Sequence, residues 1–158
     1  MRFFGLNQEP FEVKAHKGVI LTMSSNGQFV YTGGDDGKFL KISSDGQINE
    51  IYNFGSQWVD CVASTENYFA CSSGKKAYLW VNHDSKPLIM DNSSTVGGLC
   101  FDLNGNKLAV ASYGGVTVWQ KGDRKWKSSS FVWKGSHGKV TFSPDGKYLV
   151  SALSLIHI

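Results

Sequence analysis

No run of apolar residues in this 158-residue sequence approaches the roughly 18 that a membrane-spanning helix requires. The opening stretch, Met1-Arg2-Phe3-Phe4-Gly5-Leu6, lacks the apolar centre of a secretory signal, so the expected compartment is the cytoplasm and no membrane partner is expected. Charge is scarce too: Asp, Glu, Lys and Arg make up 18%, against about 25% in an average globular chain. With 16 Lys+Arg against 13 Asp+Glu, the net charge of +3 falls far short of a dedicated nucleic-acid binder. Only three cysteines occur, Cys61, Cys71 and Cys100, and no Cys-x-x-Cys pair exists, which excludes a zinc knuckle. Each lies in or beside an apolar run, where a reduced thiol acts as a small hydrophobe. A sustained 3.6-residue apolar period is also missing, which excludes a helical architecture. What the chain does have is 41% hydrophobic and 13% aromatic residues, enough for a core, together with 18 glycines.

Those glycines mark a repeat. Phe101-Asp102-Leu103-Asn104-Gly105-Asn106 and Phe142-Ser143-Pro144-Asp145-Gly146-Lys147 precede the apolar runs Leu108-Ala109-Val110 and Tyr148-Leu149-Val150 in the same phase. Met23-Ser24-Ser25-Asn26-Gly27-Gln28 is a third copy, and in a fourth Glu66 replaces the turn glycine. The turn positions 27, 66, 105 and 146 are spaced by 39, 39 and 41 residues. A second ruler agrees, because Ile42, Trp80 and Trp119 close equivalent apolar runs at spacings of 38 and 39. The period is therefore close to 40.

Within each unit the pattern predicts short strands such as 99–101, 108–110 and 116–118, separated by Asn-Gly, Asp-Gly or Gly-Gly turns that tolerate positive φ. A fourth, more polar outer strand is expected at 48–52, 87–90 and 130–133, with Pro87 suited to an edge. Four antiparallel strands cannot bury both of their faces alone, so neighbouring units must stack. Arranged around an axis, they make a β-propeller.

On these residues the sequence resembles the WD40 repeat family. The likeness rests on Phe142-Ser143-Pro144-Asp145-Gly146-Lys147, Gly33-Gly34-Asp35-Asp36-Gly37, Val116-Thr117-Val118-Trp119, and on His16 and His137 ahead of their first strands. The resemblance implies a buried set of His, Ser/Thr, turn Asp and strand Trp in each blade. His16 and Asp36 match in the first unit, where Ile42 replaces Trp; Trp80 and Trp119 match in the next two, which lack the His. No unit keeps the full set, so the blades are expected to lean on apolar packing.

The expected fold is an all-β, incomplete propeller of about three and a half four-stranded blades over residues 1–152. Residues 11–14 are read as an outer strand of the closing blade, 15–53, 54–91 and 92–133 as blades, and 134–152 as the start of a fourth. Propellers close with about four to eight blades, so the chain is read as an N-terminal part of a longer protein. The stretch Ser154-Leu155-Ile156-His157-Ile158 resembles a translated sequencing adapter, and 153–158 are read as a non-native tail.

Catalytic signals are weak. Gly33-Gly34-Asp35-Asp36-Gly37-Lys38 lacks phosphate-loop spacing and reads as a hairpin turn. Ser72-Ser73-Gly74-Lys75 fits Ser-x-x-Lys but falls on a connecting turn. His16, His83 and His137 are scattered over different units, without metal-binding spacing. No cofactor, metal or catalytic residue is expected. The segment 121–139 carries six Lys or Arg against Asp123, with Trp126 and Trp133 interleaved, and reads as a solvated outer strand; an acidic protein or nucleic-acid contact is the alternative, nucleic acid being the weaker.

The resulting expectation is a protein-interaction scaffold without activity of its own, and without an obligate homo-oligomer in the intact protein. The resemblance implies docking on the face made by the strand 2–3 turns and the entries to strand 1, which points to Asp35, Asp36, Trp58, Lys75, Lys76, Tyr113 and Lys134. An enzyme with a site in the central channel, completed by further blades, is the rival reading.

Overall fold

The computed structural model describes residues 1–7 and 9–154, and every regular element among them is a β-strand. Within the described residues no helix is long and apolar enough to cross a membrane. Two short strands, β1 (Arg2–Phe3) and β2 (Phe11–Glu12), form a separate ribbon in which the Phe3 and Phe11 rings stack 4.6 Å apart. Phe11 thus pairs with Phe3, and Gly46, in the turn at 44–47, lies against it.

The first blade is an antiparallel sheet in chain order: β3 (Ile20–Ser25), β4 (Phe29–Gly34), β5 (Lys38–Ser43) and β6 (Ile48–Asn53). β7 (Cys61–Ser64), β8 (Phe69–Ser73), β9 (Lys76–Trp80) and β10 (Leu88–Asp91) repeat it. A third sheet holds β11 (Val96–Phe101), β12 (Lys107–Lys121), β13 (Trp126–Phe142) and β14 (Leu149–Ser154).

β12 and β13 are continuous where the sequence predicts turns, but they are not straight. Fifteen extended residues would span about 50 Å, yet the Lys121 N–H donates to the Asn106 carbonyl at 2.8 Å. The chain therefore doubles back between Ser112 and Gly115, where Gly114 and Gly115 have φ of 94° and 147°. Hydrogen bonding runs through this tight turn, so no break in the strand appears. β13 bends likewise at 133–135: its pairing with β12 jumps from Gly115↔Val132 to Tyr113↔Ser136, and beyond the bend it pairs with β14. Residues 96–132 thus form a third four-stranded blade and 136–154 the first two strands of another. The chain is an incomplete propeller of about three and a half blades. Residues 155–158 of the expected non-native tail lie outside the described residues, while Leu153 and Ser154 end β14.

Apolar faces between blades make the core. Tyr31, Phe39, Val62, Phe69, Cys71 and Trp80 fill the seam between the first two blades. Ala63, Tyr68, Leu79, Val96, Leu108 and Val110 fill the next, and Ala109, Ala111, Val116 and Val140 the third. All five residues of β8 are buried, because both of its faces are covered by neighbouring blades. First strands lie side by side around the axis, β3 against β7, β7 against β11 and β11 against β13. Equivalent residues meet there: Ser24 and Ser64, one repeat apart, share a hydroxyl hydrogen bond of 2.8 Å.

The third outer strand begins at Trp126, earlier than the pattern of 130–133 suggests. Trp126 packs edge-on against Tyr68 at 5.6 Å in the seam between the second and third blades. Lys127-Ser128-Ser129 then continues the strand on an exposed edge, where a polar sequence carries no alternating signal.

Candidate functional site

The β4–β5 turn at 35–37 is fixed by the first blade's entry loop. His16 Nδ1 lies 2.8 Å from Asp36 Oδ1 and its Nε2 lies 2.8 Å from Thr32 Oγ1. A carboxylate only accepts, so Nδ1 donates and Nε2 receives the Thr32 hydroxyl proton in neutral imidazole. Backbone N–H groups of Lys17 and Lys38 also donate to Asp36, at 3.0 and 3.2 Å. Burial pushes the Asp36 carboxyl up, but the bonds from His16, Lys17 and Lys38 together hold it below the usual carboxylate range.

His137 repeats part of this set at the start of the fourth unit. Its Nδ1 lies 2.7 Å from Ser151 Oγ and its Nε2 3.0 Å from the Trp133 carbonyl, so Nε2 donates and Ser151 supplies the proton to Nδ1. The repeat puts Ser151 in the slot of Thr32, and in the two blades that lack a histidine that slot holds Cys71 and Val110. At this slot the two units with a histidine carry the hydroxyl it bonds, Thr32 and Ser151, and the two without carry none. The expected reliance on apolar packing therefore describes the second and third blades, while the first keeps a polar lock.

A stability consequence follows for Asp36. Its folded-state pKa lies below the unfolded value, so the lock's contribution is complete above about pH 4 and is lost as pH falls through the folded value. The unfolding midpoint of Asp36→Asn should lie below that of the natural protein at neutral pH, and the gap should close in acid; a gap unchanged down to the acid limit would remove this carboxylate from the account.

The seven residues expected at a docking face sit along the end of the blades where these turns lie. Asp35 and Asp36 face inward more than outward: Asp35 Oδ1 accepts from the Val19 N–H at 2.8 Å, and Asp36 is engaged as described. Trp58, 58% exposed, stands in the link between the first two blades, next to fully buried Val59, whose N–H donates to the Gly34 carbonyl at 3.1 Å. Lys75 is exposed in the β8–β9 turn and its carbonyl accepts from Asn92, while Lys76 reaches Asp91 at 3.6 Å. Tyr113, 53% exposed, tops the β12 turn with its N–H on Ser94 Oγ at 2.8 Å. Lys134 is exposed in the bend of β13, two residues before the partner of Tyr113.

One arrangement recurs along this rim. The turn of each blade is tied to the link leaving it, by Val59 N–H to Gly34 O, by Val96 N–H to Gly74 O at 2.9 Å, and by the Tyr113↔Ser136 pair. Rigid backbone therefore presents Trp58 and Tyr113 to solvent, with exposed lysines on the second blade.

Sequence reading passes over Asp60 on the same rim. Its N–H donates to the Ser72 carbonyl at 3.1 Å, and burial raises its carboxyl above the ordinary value against a bond from the Gly74 N–H. An acid set between Val59 and Cys61 is the only hint of it in the sequence. Burial likewise raises the Cys61 thiol, and Cys71 much further, so both are protonated hydrophobes at neutral pH. No group of three or more His, Cys, Asp or Glu side chains among the described residues is placed to hold a metal ion. In the basic segment Trp126 is turned into the core and only Trp133, 68% exposed, faces solvent, so the two indoles do not share a stacking surface.

Residues 8–40 match the family model described as WD domain, G-beta repeat. Among solved structures the chain is similar to the computationally designed Ika4 protein, at a TM-score of 0.75 and 15% identity over 94% of this chain and 93% of that one. It is also similar to a chain of the Mitotic Checkpoint Complex (TM-score 0.73, 15% identity, 89% of this chain and 48% of that one). A third likeness is to the RRP9 WD40 repeats (TM-score 0.66, 17% identity, 80% of this chain and 43% of that one). The chain spans about half the length of these last two. No curated protein matches the sequence.

Proposed function

From a chain that carries a WD40 repeat at 8–40 within an incomplete WD40-like β-propeller, we propose a non-catalytic platform on which other proteins dock. Docking uses the rim of turns and inter-blade links. The observation that carries this reading is the pair Trp58 and Tyr113, large amphipathic side chains more than half exposed on backbone that is hydrogen-bonded into the blades. Such anchors lose little conformational entropy on binding, and aromatic residues dominate the energetics of protein interfaces. Lys75, Lys76 and Lys134 supply charged surroundings that select among partners and steer their approach.

Capture of binding proteins should compare the natural chain with the Trp58→Ala/Tyr113→Ala pair. Both substitutions remove exposed side chains, so the unfolding midpoint should move by no more than about 0.5 kcal/mol equivalent per site. Specifically captured proteins should fall by about tenfold or more for one true hot spot. An unchanged set of captured proteins at full strength would defeat the assignment of this rim.

A further inference from the structure

The opposite end of the blades carries a groove of about 540 Å³, within the size range of specific binding pockets. It lies where the β3–β4, β7–β8 and β9–β10 turns of the first two blades meet the end of β12. Two ammonium groups line it. Lys41 Nζ sits 3.7 Å from the centre of the Phe29 ring, and Lys121 Nζ 5.3 Å from that of Tyr68. The negative faces of these rings hold the cations in place. Neither lysine forms an ion pair among the described residues, whose lysine pairs involve Lys38, Lys76 and Lys147.

Lys41 belongs to the first blade and Lys121 to the third, so they flank the turns of the second, and an occupant that meets both must be elongated. Glu66 is the one carboxylate lining the groove. The side-chain amides of Gln28, Asn67 and Asn82 line it too and make no hydrogen bond among the described residues; only the backbone groups of Gln28 and Asn82 are engaged. An amide side chain offers a donor and an acceptor side by side, which matches the N–H and C=O of an extended peptide. Val81, 55% exposed, adds an apolar contact.

We propose that this groove is a second docking site, separate from the rim, for an extended acidic segment of a partner protein. Its Asp or Glu carboxylates accept hydrogen bonds from the Lys41 and Lys121 ammoniums while its backbone pairs with the free amides. Charge complementarity with unpaired lysines held over aromatic rings selects this occupant.

The test is fluorescence anisotropy of a short dye-labelled peptide of alternating Glu, Asp and Leu, beside its Gln/Asn counterpart, at physiological salt. The acidic peptide should bind and its neutral counterpart should not. Lys41→Gln and Lys121→Gln should each weaken binding about tenfold, the loss of one charge-assisted hydrogen bond. Glu66→Gln should strengthen it about twofold or more, by removing a like charge. Trp58→Ala should leave it unchanged, which separates this site from the rim. The proposal is overturned if the acidic peptide does not bind, if the lysine variants bind as the natural protein does, if the neutral peptide binds equally, or if inorganic tripolyphosphate displaces the peptide from the lysine variants as readily as from the natural chain.

Discussion

Replacing Trp80 with alanine is expected to lower stability by about 3–5 kcal/mol, the range for deleting a large buried aromatic side chain. Trp80 is 1% exposed at the end of β9, in the seam between the first and second blades. Its ring lies 5.4 Å from Phe39 across the seam and 6.0 Å from Phe69, nearly parallel to the latter at 9°. Tyr52, 6.0 Å away, closes the outer side. Removing the indole leaves a void bordered by rigid strands on both sides, with little freedom to collapse. Typical domains have only about 5–15 kcal/mol of stability in total, so the change should be plain in a urea unfolding curve. Trp133→Ala, at a ring 68% exposed, is the control and should cost no more than about 0.5 kcal/mol. Equal midpoints for the two variants would mean that the blades are not held together across this seam.

Gly37→Ala is expected to cost roughly 2–5 kcal/mol, from two sources that a companion variant separates. Gly37 has φ of 75°, a left-handed conformation that costs an L side chain about 1–2 kcal/mol. A Cβ there would also lie 2.1 Å from the Gly55 carbonyl oxygen and 3.0 Å from that of Gln57. Neither backbone oxygen can yield alone, because Gly37 accepts the Phe54 N–H at 2.8 Å within the same packed corner. Overpacking of this kind adds about 1–3 kcal/mol. Gly55→Ala meets nothing within 4 Å at φ of 69°, so it should show the conformational cost alone. The difference between the two unfolding midpoints measures the clash. Because the displaced segment leads into Trp58, Gly37→Ala should also weaken docking on the rim; indistinguishable variants would show that this corner is pliable.

Much of the fold could be read in the chain because the propeller is written locally. The turns at 27, 105 and 146 each carry a glycine with positive φ, and the Ile42, Trp80 and Trp119 slots repeat in step with them. At 66 the glycine is missing and the hairpin still closes, because Thr65 Oγ1 accepts the Tyr68 N–H at 3.0 Å. The Gly114-Gly115 turn expected from the sequence is present, although hydrogen bonding runs through it, and the sequence misleads where an outer strand is polar, as at 127–129. Trp126 looks like part of a cationic, aromatic strip until the second blade is seen to cover it.

The candidate sites were less legible, for a physical reason. Trp58 and Tyr113 can be picked out as large residues in links and turns, but the anchoring of the rim depends on pairs such as Gly34 with Val59 that only the stacking of blades creates. The groove is harder still. Lys41 and Lys121 stand 80 positions apart, and although Lys41 meets Phe29 across one hairpin of its own blade, no local pattern relates Lys121 of the third blade to Tyr68 of the second.

The pairing of a histidine with a hydroxyl in the first blade, against sulfur and hydrocarbon in the same slot of the next two, makes the molecule uneven in what it resists. Protons strike the first blade, whose lock needs an ionised Asp36, and leave the Trp80 seam untouched. Cold weakens apolar burial and so loosens the aromatic seams first, while the imidazole bonds stay made. One chain therefore yields at different places according to the stress applied, with acid acting on the lock beside His16 and on the turn carboxylates Asp45 and Asp145.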